Sequence, residues 1–249
     1  MSKIVFLSDL HGNYQATLAM EKEIRRIAPD EVWFLGDAVG KGPSNIETCE
    51  WVRAHCDHSL KGNWDDWICE SYFERDNVGS PYRSYIVENK FFYEQLGEER
   101  ILWLHSLPLE AEILISGIRF RLFHGRPVDQ LYQGYEPDEK LKLGFHSADK
   151  KTKFGSYICA DSHRPYIRSL HDGYAINTGS VGNSIGVPRA HALLIEGELG
   201  AEEITPIYFT ILSVPYDNRL AADTALATEG LPMADAYARE VLTGIYSRD

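Results

Sequence analysis

Cysteine and positive charge are both scarce in this chain. Four cysteines (Cys49, Cys56, Cys69 and Cys159) stand among 249 residues, and none forms a Cys-x-x-Cys pair. A disulfide scaffold or a cysteine-ligated zinc site is therefore excluded as the organising feature, and the four read as buried thiols of a reducing compartment. Long apolar runs are missing as well, so no segment is expected to span a membrane. Met1-Ser2-Lys3 and the four apolar residues after it are too short for a signal peptide, which makes a cytoplasmic protein the expectation. With 25 Lys+Arg against 37 Asp+Glu the net charge is −12. That balance excludes general binding to duplex nucleic acid or to anionic membranes. A small anion can still bind, because bound cations reverse the local field. Repeats, low-complexity stretches and linkers are absent too, so residues 1–249 are expected to form one domain.

What the chain does have is a series of short apolar runs that stop abruptly at polar residues. Ile4-Val5-Phe6-Leu7 runs into Ser8-Asp9-Leu10-His11-Gly12-Asn13, the pattern of a buried strand emptying into a loop. Residues 14–28 fit a helix with Leu18, Met20, Ile24 and Ile27 on one stripe and Pro29 closing it. Glu31–Leu35 is a second apolar strand, ending in Gly36-Asp37. Ser44 and Glu47 read as a capping box that opens a helix to about Ala54. A short third strand, His58–Lys61, leads into Gly62-Asn63-Trp64-Asp65.

Residues 64–104 are helix-like and rich in aromatics, readable either as plain helix core or as a cap whose rings stack a flat ligand. Ala111–Ser116 and Ile118–Phe123 make a hairpin that ends in His124-Gly125-Arg126-Pro127. A surface excursion over 128–155, with a helix near Asp138–Leu143, precedes the strand Tyr157–Ala160 and its ending Asp161-Ser162-His163-Arg164. Ile167–Leu170 and Tyr174–Asn177 flank a turn, and 190–196 with 201–208 are expected to pair as a hairpin closing a second sheet. A helical tail starts from about Val214, with one helix ended at Gly230 and another running from Pro232 to about Leu242. Apolar strands separated by helices indicate an α/β fold with covered sheets.

Five strand ends thus present Asp9 with His11, Asp37, Asn63, His124, and Asp161 with His163. Taken singly, each has an ordinary use: a strand-end aspartate caps its own loop, and a lone histidine is a hydrogen-bonded core residue. Asp9 and His11 are two apart and project to one side of an extended segment. A right-handed crossover brings Asp37 beside them. Together these carboxylates, imidazoles and one amide oxygen suit two adjacent divalent cations, with Asp37 as the bridge. Cations about 3.5–4 Å apart clamp a phosphoryl group and make hydroxide from water near neutral pH.

Asp9-x-His11, Gly36-Asp37, Gly62-Asn63, His124 and x-His163, in this order on alternating strands, resemble the calcineurin-like metallophosphoesterase superfamily. The turn Asn177-Thr178-Gly179-Ser180-Val181-Gly182 is similar to a segment of its small bacterial phosphodiesterase branch, as is the tail around Val214-Pro215-Tyr216-Asp217 and Gly230-Leu231-Pro232. The resemblance implies a four-layer α-β-β-α sandwich of two mixed sheets flanked by helices. It implies one cation held by Asp9, His11, Asp37 and His163, and a second held by Asp37, Asn63, His124 and the residue at 161. Asp37, Asn63 and His124 are then the candidate catalytic residues. Mn²⁺ is the expected metal, with Fe, Zn, Ni and Mg as alternatives.

Two departures from the family pattern shape the expected substrate. The family has Gly-Asn-His where this chain has Gly62-Asn63-Trp64, and an indole cannot donate an acidic proton. An alkoxide leaving group, whose conjugate acid is close to water at roughly pKa 15–16, needs such a proton. A phosphate leaving group, with a second pKa near about 6, can depart as an anion. The change tilts the expectation towards phosphoanhydrides or aryl esters, and Gly-Asn-Trp resembles some bacterial asymmetric diadenosine tetraphosphate hydrolases with phosphodiesterase activity. Trp64 facing the pocket would stack on adenine. The second departure is Asp161, which replaces the first His of Gly-His-x-His and, as a ligand, favours harder cations such as Mn²⁺ or Mg²⁺. Arg126 and Arg164, beside ligand histidines, are candidate phosphate anchors, with Lys41 a weaker one. The expected partner is a small, nucleotide-like phosphate compound. The rival readings are a general phosphomonoesterase, protein phosphatase-like activity included, and a non-catalytic nucleotide-binding relative.

Overall fold

The computed structural model describes residues 1–248. Its first part comprises β1 (Ser2–Leu7), α1 (Tyr14–Ile27), β2 (Glu31–Phe34), α2 (Asn45–His55), β3 (His58–Ser59), α3 (Asn63–Phe73), α4 (Arg83–Glu88) and α5 (Lys90–Ser106). Then come β4 (Glu110–Ile115), β5 (Ile118–Phe123), α6 (Asp138–Leu141), β6 (Ser156–Cys159), β7 (Tyr166–Leu170) and β8 (Gly173–Asn177). The chain closes with β9 (Ala190–Gly197), β10 (Tyr208–Val214), α7 (Asn218–Ala227) and α8 (Ala234–Thr243).

An apolar run without alternation has to be covered on both faces, and β1 is. Val5 and Leu7 enter a core shared with the helices, while Ile4 and Phe6 enter a second core between two sheets. The first sheet has the order β10-β9-β1-β2-β3, with β1, β2 and β3 parallel and β9 and β10 antiparallel. The second has the order β4-β5-β6-β8-β7, parallel through β5, β6 and β8. Phe120, Leu122, Ile158 and Ile176 of the second sheet meet Ile4, Phe6, Leu193 and Ile195 of the first in the central core. Helices α1, α2, α3, α5, α7 and α8 cover the outer face of the first sheet, and Tyr132, Leu141 and Phe145 cover Phe123 and Tyr157 on the second. This is the expected sandwich of two mixed sheets flanked by helices.

Several local expectations need correction. The strand placed at 201–208 lies at Tyr208–Val214, and with β9 it extends the first sheet beside β1 rather than closing the second. Its outer residues are largely exposed, so the apolar pattern was too weak to fix its limits. Ser44 precedes α2 but makes no side-chain capping bond. Leu18 points outward from α1, whose buried face is Ala16, Thr17, Met20 and Ile27, and the helix is closed by Ala28 in the left-handed conformation. The 64–104 stretch is three helices, with Gly97 breaking α5 at φ 72°. All four cysteines are free. Among the described residues no helix is long and apolar enough to cross a membrane.

The second sheet carries one buried cation. Arg121 is fully buried, with Nε 3.0 Å from Glu110 Oε2, Nη1 2.8 Å from Asp129 Oδ2 and 3.2 Å from the Gly144 carbonyl. It ties the segment after β5 onto the sheet. Replacing both Glu110 and Asp129 by Ala strands that charge and is expected to cost about 3–5 kcal/mol in urea unfolding. Adding Arg121→Met to the double variant should recover most of the loss; no recovery would show that packing, not the buried charge, carries the effect.

Candidate metal centre

The endings of β1, β2, β3, β5 and β6 deliver their polar residues to one edge of the sandwich. Asp9, His11, Asp37, Asn63, His124 and His163 are all buried there. Five candidate ligands, Asp9, His11, Asp37, Asp161 and His163, have φ between 46° and 66°. Left-handed backbone at residues other than glycine costs on the order of 1–3 kcal/mol each and gathers where function requires it.

The three histidines are aimed by their second nitrogen. Nδ1 of His124 donates to the Leu35 carbonyl at 2.7 Å, that of His11 to Val39 at 3.2 Å, and that of His163 to Asn183 at 2.5 Å. Each Nε2 is thereby turned to the centre, where without a proton it is the atom a metal-ligating imidazole needs. His163 Nε2 is 3.2 Å from Asp9 Oδ1 and 3.2 Å from His11 Nε2. Asp37 Oδ2 lies between His11 Nε2 at 3.4 Å and His124 Nε2 at 3.3 Å. Its other oxygen, Oδ1, accepts from the Trp64 amide at 2.8 Å.

Two groups emerge whose ligand atoms are mutually close enough to share an ion: Asp9, His11 and His163, and Asp9, Asp37 and His124. Among the described residues three buried polar atoms here have no hydrogen-bond partner: Asp9 Oδ1, Asn63 Oδ1 and His124 Nε2. Buried polar atoms are ordinarily paired; Asp9 Oδ1 and His124 Nε2 belong to the second group, and both suit a divalent cation that would take the place of the His124 proton.

Charge follows the same geometry. Burial works against the His124 cation, but Asp37 and Asp9 overcome it and hold the group up to about 10. Burial, aided by Lys41, pushes His11 down to about 4. Burial opposes the Asp9 carboxylate too, yet the imidazoles of His163 and His124 hold it well below the usual range.

Asp161 is brought to the rim but into neither group. Both of its oxygens are held by Arg126, Oδ1 by Nη2 at 2.7 Å, and Oδ2 by Nε at 2.9 Å and by the backbone amide at 3.0 Å. Arg126 therefore meets the pocket as half of an ion pair. Trp64, Arg126 and Arg164 do line one cavity of about 470 Å³ together with Asp37, Lys41 and His163.

Two further residues support the centre without belonging to the expected ligand set. Asp65, fully buried in the first turn of α3, accepts from the amides of Asp37 at 2.8 Å, Ala38 at 3.0 Å and Gly62 at 3.0 Å. Burial and the neighbouring Asp37 raise it to about 7. Its signal was its place three residues after Gly62, where a helix's third residue reaches back to the cap. Gly62 itself is a matter of space, since a Cβ there would sit 2.2 Å from Asp37 Oδ1.

Asp65→Ala leaves every candidate ligand in place but frees the loop carrying Asp37. It is expected to weaken Mn²⁺ affinity about 10–100-fold in calorimetric titration, and unchanged affinity would remove its positioning role. In the metal-free protein the raised His124 contributes stability in full below its unfolded value of 6.5, and that contribution fades as pH climbs towards about 10. The melting-temperature gap between wild type and His124→Gln, measured in chelator, should narrow across that range. A gap independent of pH would contradict the assignment.

The comparisons with known proteins agree with this architecture. Residues 2–183 match the profile of the calcineurin-like phosphoesterase family. An uncharacterized protein of Methanocaldococcus jannaschii is 28% identical over 203 residues, 73% of this chain and 76% of the relative. The crystal structure of a metallophosphoesterase from Sphaerobacter thermophilus superposes with a TM-score of 0.71 at 23% identity, covering 98% of this chain and 100% of the other. That of a hypothetical protein from Pyrococcus horikoshii OT3 gives 0.76 at 19% identity, over 98% and 99%. These two likenesses show a shared fold; the profile match over most of the chain shows more, and the chain belongs to the calcineurin-like phosphoesterase family of metal-dependent hydrolases.

Proposed function

We propose that the chain is a binuclear metallophosphoesterase acting on nucleotide-like phosphoanhydrides or phosphodiesters, of the asymmetric diadenosine tetraphosphate hydrolase kind. The observation that carries the reading is the burial of Asp9, His11, Asp37, His124 and His163 in two groups able to share an ion, with Asp9 Oδ1 and His124 Nε2 unpaired. Asp9, His11 and His163 would hold one cation, and Asp9, Asp37 and His124 the other, with Asn63 as a further oxygen donor to the second. Bound divalent cations would polarise phosphoryl oxygens and lower the pKa of a water.

The chain's own side chains supply the rest. The Trp64 amide fixes Asp37, and its indole, edge-on to His11 with ring centroids 5.9 Å apart, walls the pocket without offering an acidic proton. A leaving group must therefore depart on its own acidity, which favours anhydrides. Beyond Trp64 lies a second cavity of about 690 Å³, lined by Trp67, Phe73, Tyr82, Tyr85 and Ile86 together with Glu70 and Glu74. Trp67 lines both cavities. An aromatic cleft beside a phosphate site suits a base, so α3 to α5 act as a cap that grips the nucleoside end.

The test is a metal analysis joined to a substrate panel. Mn²⁺-loaded protein should hydrolyse diadenosine tetraphosphate in preference to a phosphoserine peptide. Preference for the peptide would favour a phosphomonoesterase, and a protein that takes up no metal and leaves bis-p-nitrophenyl phosphate intact would be a binder. Trp64→His should raise the ratio of alkyl-ester to anhydride hydrolysis, by up to about 10²–10⁴-fold if a general acid is fully restored. An unchanged ratio would refute the leaving-group argument.

A further inference from the structure

Three cationic side chains besides the exposed Arg164 reach the wall of the metal-site cavity, and two of them are already neutralised. Arg126 is closed onto Asp161, and Arg248 onto the fully buried Glu240, Nε to Oε2 at 3.0 Å. The third is Lys41, with only 7% of its surface accessible. Among the described residues Lys41 makes no ion pair. Its Nζ has two partners, neither of them a carboxylate: Asn183 Oδ1 at 3.2 Å and His163 Nε2 at 3.3 Å.

Both contacts are informative. Asn183 is fixed from behind, its Nδ2 donating to Glu240 Oε2 at 3.1 Å, so its oxygen is turned towards Lys41. The C-terminal helix α8 thereby sets where the ammonium sits. His163 Nε2, by contrast, offers one lone pair, and the same lone pair is the one a cation in the centre would take. A metal-loaded site leaves Lys41 with a donor free and facing the cavity. Lys41 also shares the left-handed backbone of the candidate ligands, φ 59°, and sits 5.8 Å above the Trp64 ring. A strained, buried cation with no carboxylate in direct contact, only the more distant charges of Glu240, Asp37 and Asp9, is costly to keep. A structure that tolerates one beside two candidate cation positions is arranged for an anion that arrives from outside.

We propose that Lys41 is the phosphate anchor of this site, its ammonium binding a non-bridging phosphoryl oxygen beside His163. The assignment rests on the phosphoesterase reading and sharpens it. An anion flanked by the cations and by Lys41 is best matched by a phosphoryl group of high charge, as in a polyphosphate chain or a terminal phosphate, over the single charge of a simple diester. Lys41 is placed to bind substrate, and Asn183 and Glu240 are positioning residues behind it.

The test uses inorganic phosphate as the probe on full-length, Mn²⁺-loaded protein, so that binding is read without turnover. Lys41→Met keeps the stem and removes the charge. It should retain the wild-type Mn²⁺ stoichiometry and melt no lower than wild type, since a buried unpaired charge has gone. The Kd for phosphate, and its Ki against bis-p-nitrophenyl phosphate hydrolysis, should rise about 10–100-fold, the loss of one charge-assisted bond. Lys41→Arg should fall between the two. Phosphate affinity unchanged in Lys41→Met overturns the proposal, as does a parallel loss of melting temperature and bound metal, which would make Lys41 structural. If Lys41→Met does not fold, Lys41→Gln is read by the same criteria, and misfolding of both counts against the proposal. Unaltered phosphate binding in a variant of an active wild type removes Lys41 alone. A wild type that binds neither Mn²⁺ nor phosphate removes the phosphoesterase reading and this assignment together.

Discussion

Two carboxylates held side by side out of reach of water set the terms for everything around them. Asp9 and Asp37 are no more than 1% exposed, and an unpaired buried ion costs several kcal/mol. The protein meets part of this demand locally. Ser8 donates to Asp9 Oδ2 at 2.6 Å, the Trp64 amide donates to Asp37 Oδ1, and three imidazoles crowd the remaining oxygens. In the metal-free protein a proton on His124 supplies the missing positive charge, which is why that group is held up to about 10. The proton and a metal compete for the same nitrogen, so metal uptake is coupled to proton release. The metal dependence of the family is thus legible as electrostatics in this chain.

Such a cluster assembles only because the two sheets end together. Parallel strands β1 and β2 of one sheet and β5 and β6 of the other finish at the same edge, and the apolar core between the sheets fixes their separation. Loops from these four strands and from β3 then converge on one place. The turns have to be abrupt, and the left-handed backbone at Asp9, His11, Asp37 and His163 is what abruptness requires. Asp65 stabilises one of these turns by collecting three amides with a single carboxylate. Gly62 lets the third strand's ending lie directly against Asp37. Strain in the loops is balanced by order in the strands beneath them.

Most of this was readable from residues alone, for a definite reason. Apolar runs covered on both faces, such as Ile4–Leu7 and Tyr157–Ala160, have an unambiguous signature, and their polar endings point to the site whatever the loops do in detail. The edge strand β10 has no such signature, because one of its faces is exposed, and its limits were misplaced accordingly. Asp65 was hidden for a different reason. A carboxylate in a helix's first turn is ordinary in sequence, and its three amide donors come from Asp37, Ala38 and Gly62, two of them in a distant loop. The Arg126–Asp161 pair was equally invisible, since each residue was plausible alone as an anchor or a ligand and only their 2.7 Å contact ties them to one another.

That pair changes how the mouth of the site is understood. The chain as a whole is acidic, with net charge −12, so its long-range field repels polyphosphates. Screening limits that repulsion to about 8 Å at physiological ionic strength, and selection falls to groups at contact range. Arg126 and Asp161 neutralise each other, and the guanidinium lies 5.8 Å from the Trp67 ring, on the wall shared by the metal-site cavity and the aromatic cleft. A neutral pair stacked on an indole suits a planar, uncharged part of a ligand better than a phosphate. Positive charge is instead concentrated deeper, where Lys41 and the candidate cation positions meet. An elongated ligand with a charged end and a flat end would be oriented by that separation alone, charged end inward, before any bond is broken.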